Sequence, residues 1–269
     1  MDKKVVLITG GSRGIGRELA RQYLELNHIV YIVARNKEKL EASSKELDES
    51  GKLLKAIAGD VSDPTFCKGV IDQIIEEQNR LDILINNAGM AMRGLFKDTK
   101  VEVFEKLINI NYLGATYLTH YAIEHLIANK GSVIFISTIA AIHGLAKVGG
   151  YGASKAPLSI LSESIRAEIS SKILHVGTIY VGLTENDQDK VVYSSDGSLI
   201  TLDKRKNSHT QKDVALAIIK AVNKRKKRVV LTPLGKLAAL FYRYFPRLAD
   251  FIINNVVAKS SLYADSKLK

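Results

Sequence analysis

Short apolar runs and longer amphipathic stretches alternate along the chain, from its first residues to about position 232. Val5–Thr9, Ile29–Val33, Leu53–Ala58, Ile83–Asn86, Val133–Ser137, Ile173–Tyr180 and Arg228–Thr232 are rich in β-branched residues and have the length of strands. Between them, Ile15–Leu26 sets Ile15, Leu19, Tyr23 and Leu26 at helical spacing, and Pro64–Gln78 carries Val70, Ile71, Ile74 and Ile75 on one side. Lys37–Ser50 reads as a polar helix ended by Gly51, Val101–Ala128 as one long helix, and Tyr151–Ser170 and Gln211–Asn223 as two more. The strands are apolar at nearly every position, so both of their faces are buried. That pattern predicts an α/β fold with a mostly parallel sheet of about seven strands and helices on both faces. A closed eightfold barrel is the competitor.

No linker, repeat or low-complexity tract divides residues 1–269, which read as a single domain. Residues 183–210 are polar and long for a connection, which points to a functional loop over a substrate. Residues 233–269 form a C-terminal extension with helical patterning.

Composition narrows the picture. Hydrophobic residues make up 46% and charged residues 25%, as in soluble globular proteins. Cys67 is the only cysteine, so no internal disulfide framework exists, and a reducing, cytoplasmic setting is expected. The start, MDKKVVLITG, lacks the longer apolar stretch and cleavage pattern of a signal peptide, and no run approaches the length of a spanning helix. The net charge of +11 is lopsided: from Thr201 onward there are 16 Lys and Arg against 4 Asp and Glu, with 23 against 24 in the remainder. A near-neutral body argues against nucleic acid as a partner.

Thr9–Gly16 reads TGGSRGIG, directly after a strand and at the opening of a helix. Gly10, Gly14 and Gly16 remove side chains so that backbone can approach a pyrophosphate at a helix N-terminus, the context of a dinucleotide site. This turn disfavours the barrel and makes the fold a doubly wound, Rossmann-type one. After the second strand, an enzyme that grips a ribose 2′-hydroxyl needs an acid. Here VARN puts Ala34 at that place, followed by Arg35, and Arg13 in the glycine turn points toward the same spot. Two guanidiniums suit a 2′-phosphate, which predicts NADP(H) rather than NAD(H).

The glycine spacing resembles that of the short-chain dehydrogenase/reductase family, and further motifs follow in the family's order. GDVSD at Gly59–Asp63, NNAG at Asn86–Gly89, NINYLG at Asn109–Gly114 and YGASK at Tyr151–Lys155 extend the resemblance over roughly residues 4 to 232. The resemblance implies cofactor contacts from Gly10, Ser12, Arg13, Gly14, Ile15, Gly16, Arg35, Asp60, Val61, Asn87, Ala88, Gly89, Tyr151 and Lys155. It implies catalysis by Asn111, Thr138, Tyr151 and Lys155, with Asn111 holding a water in a proton relay to Lys155. Asn86–Gly114 is also similar to lipid- and steroid-acting members, including 3-ketodihydrosphingosine reductases. The chain departs from the family pattern at Val181, where a proline is usual, and at Asn186, where a threonine is usual.

The Tyr-x-x-x-Lys spacing sets Tyr151 and Lys155 one helical turn apart on one face. A tyrosine titrates near pH ~10 unaided, and a neighbouring ammonium favours its phenolate, so Tyr151 can donate a proton to a carbonyl oxygen or take one from an alcohol. The family's substrate-holding hydroxyl stands 13 residues before the tyrosine, at Thr138. Strand alternation sends Ser137 to the opposite face and makes it the fallback if the strand end slips. Pro157 lies inside the predicted helix, where it removes a backbone bond and introduces a slight bend. His120 and His143 do not cluster with acids or the cysteine at ligand spacing, so no metal is predicted.

The basic, aromatic stretch Asn223–Lys259 leaves three roles open: a pocket cover, a subunit contact, or a face for an anionic membrane surface. Together these features predict an NADPH-dependent reductase acting on an apolar, lipid-like carbonyl substrate, as a homo-oligomer. The alternative is a catalytically silent cofactor-binding sensor or scaffold of the same fold.

Overall fold

The computed structural model describes residues 3–187, 189–202 and 208–252. The chain opens with β1 (Val5–Thr9), α1 (Gly14–Glu25), β2 (Ile29–Ala34), α2 (Lys37–Leu47), β3 (Leu54–Ala58), α3 (Pro64–Gln78) and β4 (Ile83–Asn86). It continues with β5 (Met92–Arg93), α4 (Val101–Ile108), a π-helical turn (Asn109–Leu113), α5 (Gly114–Ala128), β6 (Ser132–Thr138), α6 (Gly149–Lys155), α7 (Pro157–Glu168) and β7 (His175–Val181). It ends with β8 (Val191–Ser194), β9 (Leu199–Thr201), α8 (Gln211–Asn223), β10 (Arg228–Val230), α9 (Pro233–Tyr244) and α10 (Pro246–Ile252).

Among the described residues, seven strands form one sheet in the order β10-β7-β6-β4-β1-β2-β3. All of its pairings are parallel. Burial on both faces follows from the apolar runs. In β1, Val5 and Leu7 join the core beneath α3, α5 and α7, while Val6 and Ile8 join the core beneath α1 and α8. The order reverses between β2 and β4, the two neighbours of β1, and the crevice outside the strand ends at such a reversal is where ligands bind in these sheets.

Three predicted elements differ from the observed ones. The long helix Val101–Ala128 is broken by the π turn at Asn109–Leu113, which inserts an extra residue into the helical ladder. The helix Tyr151–Ser170 divides at Pro157, whose ring nitrogen has no proton for the ladder, although Ala156 keeps helical angles and the two pieces run on. The loop 183–210 is not irregular throughout: β8 and β9 form a hairpin that pairs with β5 in a separate small sheet. Of the C-terminal extension, residues 253–269 lie outside the described residues.

Candidate active site

A cavity of about 800 Å³ lies at the carboxyl ends of the strands. It reaches from Arg35 and Lys39 past the glycine turn to Thr138, Tyr151 and Lys155. All the residues predicted to contact a cofactor line it except Gly16, which lies beneath the turn.

The glycine turn is shaped by close backbone approach. Gly10 and Gly14 have φ of +70° and +60°, the left-handed region that favours glycine. At Gly16 a Cβ would stand 2.2 Å from the Gly10 carbonyl oxygen and 2.6 Å from Asn87 Nδ2, so no larger residue fits. Asn87 ties this turn to β4. Its Nδ2 donates to the Thr9 carbonyl at 2.9 Å, and its backbone N–H and that of Ala88 donate to Thr9 Oγ1 at 3.0 and 2.9 Å. Among the described residues no side chain caps the start of α1, and its first turn carries no acid. Its N–H groups therefore face the cavity as donors for an anion.

At the far end, Arg13, Arg35 and Lys39 line the cavity beside Ala34. Arg35 Nη1 stands 3.9 Å from Asp60 Oδ2, and the other carboxylate oxygen of Asp60 accepts from Ser62 N and Oγ. Arg13 Nη1 donates to the Asp189 carbonyl oxygen at 3.1 Å, and Lys39 Nζ pairs with the Asp189 carboxylate. Lys39 and Asp189 were not anticipated. Lys39 was findable, because it is a cation in the first turn of α2, four residues after Arg35; Asp189 arrives from a distant loop and left no local signal.

At the other end, α6 presents Tyr151 half-buried and Lys155 fully buried. Lys155 Nζ donates to the carbonyls of Ala88 and Ile136, each at 3.1 Å. Burial of the ammonium pulls its pKa down from 10.5 to about 8. Gly89 makes room for it: a Cβ there would stand 3.0 Å from Lys155 Nζ and 2.8 Å from Asn111 Oδ1.

Asn111 is buried in the π turn. Its Oδ1 accepts from Met90 N, and its Nδ2 donates to Met90 O and Ser154 Oγ, all at 2.8 Å. Both amide protons are thus engaged, so the side chain positions Met90 and the catalytic helix. Ser154, in turn, donates to the Tyr151 carbonyl at 2.8 Å.

Ser137 and Thr138 both line the cavity, and their hydroxyls differ in their partners. Ser137 Oγ donates to the Lys155 carbonyl at 3.2 Å, fastening β6 to α6. Thr138 Oγ1 accepts from Ala140 N at 3.3 Å, which leaves its proton available toward the cavity. Farther along, Thr184 lines the cavity while Asn186 is buried and does not. The side chain that faces the cavity is thus the threonine two residues earlier than the family spacing implies. Met90, Met92, Val103, Leu107, Ile110 and Tyr193 form an apolar wall beside Tyr151.

The fold and site define a dinucleotide-binding protein whose Tyr–Lys pair stands at the end of its nucleotide groove. The sequence profile of the short chain dehydrogenase family matches residues 4–196. The chain belongs to this family. It is 34% identical over 261 residues to the Arabidopsis thaliana protein named 11-beta-hydroxysteroid dehydrogenase-like 2, covering 94% of this chain and 81% of that one. A short-chain dehydrogenase/reductase from Burkholderia phymatum in complex with NAD superposes with a TM-score of 0.80 at 16% identity, over 92% of this chain and 95% of that one. ElxO with NADP bound superposes with a TM-score of 0.72 at 26% identity, over 86% and 97% of the two chains.

Proposed function

We propose that the protein is an NADPH-dependent reductase of an apolar, lipid-like ketone, and that it oxidises the matching secondary alcohol in reverse. One observation carries the cofactor reading: Arg13, Arg35 and Lys39 line one end of the groove, where Ala34 stands in place of an acid. The groove fits a dinucleotide, since Gly10, Gly14 and Gly16 leave a cradle at the uncapped start of α1. Arg13, Arg35 and Lys39 would hold the 2′-phosphate, and Asp60 and Val61 would flank the adenine. When bound, the reduced nicotinamide supplies a hydride to the carbonyl carbon.

Tyr151 donates its phenolic proton to the carbonyl oxygen as negative charge develops there, and the Lys155 ammonium favours the phenolate left behind. Thr138 gives its hydroxyl proton as a hydrogen bond to the same oxygen. Asn111 acts as a positioning residue through Met90 and Ser154. The apolar side chains of Met90, Met92 and Ile110, which line the cavity, support a hydrocarbon-rich substrate over a polar one. The test is a panel of ketones differing in chain length, assayed with NADPH and NADH. Turnover confined to small polar carbonyls, or equal use of both cofactors, would overturn the reading.

The same reading puts the protein in the cytoplasm, against an anionic membrane surface. Supporting it, α9 and α10 expose Leu237, Leu240, Tyr244, Leu248 and Phe251. Beside them a groove is lined by Lys220, Lys224, Lys226, Arg228 and Lys236. Among the described residues no helix is long and apolar enough to cross a membrane. Flotation with anionic but not neutral vesicles, lost at high salt, is the expected result.

A further inference from the structure

The loop after β7 brings two carboxylates onto the nucleotide groove. Its stem is fixed: Glu185 N donates to the His209 carbonyl at 3.0 Å, His209 N donates to the Leu183 carbonyl at 3.3 Å, and the Glu185 carboxylate accepts from Gln211 N at 2.8 Å. A turn closed by Lys190 N on the Asp187 carbonyl at 3.1 Å then carries Asp187 and Asp189 over the groove. Asp187 Oδ1 accepts from Gln211 Nε2 at 2.8 Å, and its Oδ2 lies 3.4 Å from where a Cβ on Gly14 would stand. That is the mouth of the glycine turn, at the first residues of α1. Asp189 is paired with Lys39 and lies 3.9 Å from Arg13 Nη1. The two anions therefore bear on two different cationic positions of one groove: Asp187 lies beside the helix N-terminus, which suits a pyrophosphate, without bonding its N–H groups, and Asp189 sits on the Arg13–Lys39 pair, which suits a 2′-phosphate.

We infer that Asp187 and Asp189 are a built-in counter-anion pair that competes with the dinucleotide, and that Asp189, through Lys39 and Arg13, sets how strongly a 2′-phosphate is preferred. A dinucleotide must displace both carboxylates to reach the backbone donors and the two cations. Its apparent affinity falls by the fraction of molecules in which they are already displaced. The Lys39 hydrogen bond holds the Asp189 carboxyl below the usual carboxylate range, so the competitor is ionised at neutral pH. The Asp189 half rests on the NADPH reading; the Asp187 half requires only a dinucleotide.

The two acids make separable predictions. Asp189→Asn keeps the shape of an exposed side chain and removes its charge. It should tighten NADPH about two- to fivefold, the upper range for relieving exposed ion pairs, and leave NADH within about twofold. Asp187→Asn should tighten both cofactors alike, because the pyrophosphate is common to them. Dissociation constants come from titrating nucleotide fluorescence at low salt with the full chain, and matching melting temperatures show that the fold is intact. Asp189→Ser, which also removes the charge, should repeat the Asp189→Asn result. Unchanged or weaker NADPH binding in both Asp189 variants would overturn the role of Asp189, and unchanged affinities in Asp187→Asn would overturn that of Asp187. Equal affinity of the native chain for NADPH and NADH would instead refute the NADPH reading, and a gain for both cofactors in Asp187→Asn would then still uphold the competition.

Discussion

Lys155 carries a charge that the fold makes expensive. Its ammonium is fully buried, and burial moves its pKa from 10.5 to about 8. At 1.36 kcal/mol for each pH unit, that difference is a penalty of about 3.4 kcal/mol for the charged form. The carbonyls of Ala88 and Ile136, each 3.1 Å away, favour the ammonium and make this figure a ceiling. Below pH about 8 the residue is protonated in both the folded and unfolded chains, and the whole penalty weighs on the fold. Between about 8 and 10.5 the unfolded chain binds more protons than the folded one, so stability rises with pH. Above 10.5 the penalty is gone. In Lys155→Met this titration is absent, while every other lysine and tyrosine still titrates. The unfolding free energy of the native chain minus that of Lys155→Met should therefore grow by about 3 kcal/mol between pH 7 and pH 10.5. Urea unfolding at four pH values across this window measures it, and turnover in the variant should be lost at every one of them. A difference that stays constant with pH, or moves the other way, refutes the reasoning that Lys155 is held as a buried ammonium.

Other expectations follow from the same geometry. Thr138→Val should reduce turnover by the worth of one donor to a developing oxyanion, about 2.7–4 kcal/mol, while Thr138→Ser retains activity; a severe loss in Ser137→Ala with a mild one in Thr138→Val would reverse the assignment. Arg35→Ala should weaken NADPH by about 1.5–3 kcal/mol, the range for a charge-assisted bond, and leave NADH nearly unchanged; isothermal titration with both nucleotides decides it. Gly16→Ala drives a methyl to 2.2 Å from the Gly10 carbonyl oxygen, so it should lower stability by about 1–3 kcal/mol and weaken both cofactors, and unchanged denaturation and binding would mean the turn can shift. Native carbonyl reduction should decline as pH rises through about 8, where Lys155 loses its proton, and a flat profile to pH 10 would separate that ammonium from catalysis.

The chain's local periodicities carry its architecture. Val5–Thr9, Pro64–Gln78, Ile83–Asn86 and Gln211–Asn223 are bounded in the structure where the apolar pattern, caps and glycines bound them. This is because side-chain burial on strands and helices repeats every two or 3.6 residues and can be read from neighbours alone. The glycine spacing and the Tyr151–Lys155 pair were legible for the same reason, since one helical turn or one tight bend encloses each. Three features depended on contacts between distant segments. The π turn that buries Asn111 exists because its amide finds Met90 and Ser154, 21 and 43 residues away. The depth of Lys155, and with it the shift of its proton, comes from β4 and β6 closing over α6. The placement of Asp189 on Lys39, 150 residues apart, is set by the loop returning across the carboxyl edge of the sheet. Periodicity determines which residues are buried and on which face, whereas the parallel sheet order determines which loops meet at its edge, and the charges that share a groove there have no common period along the chain.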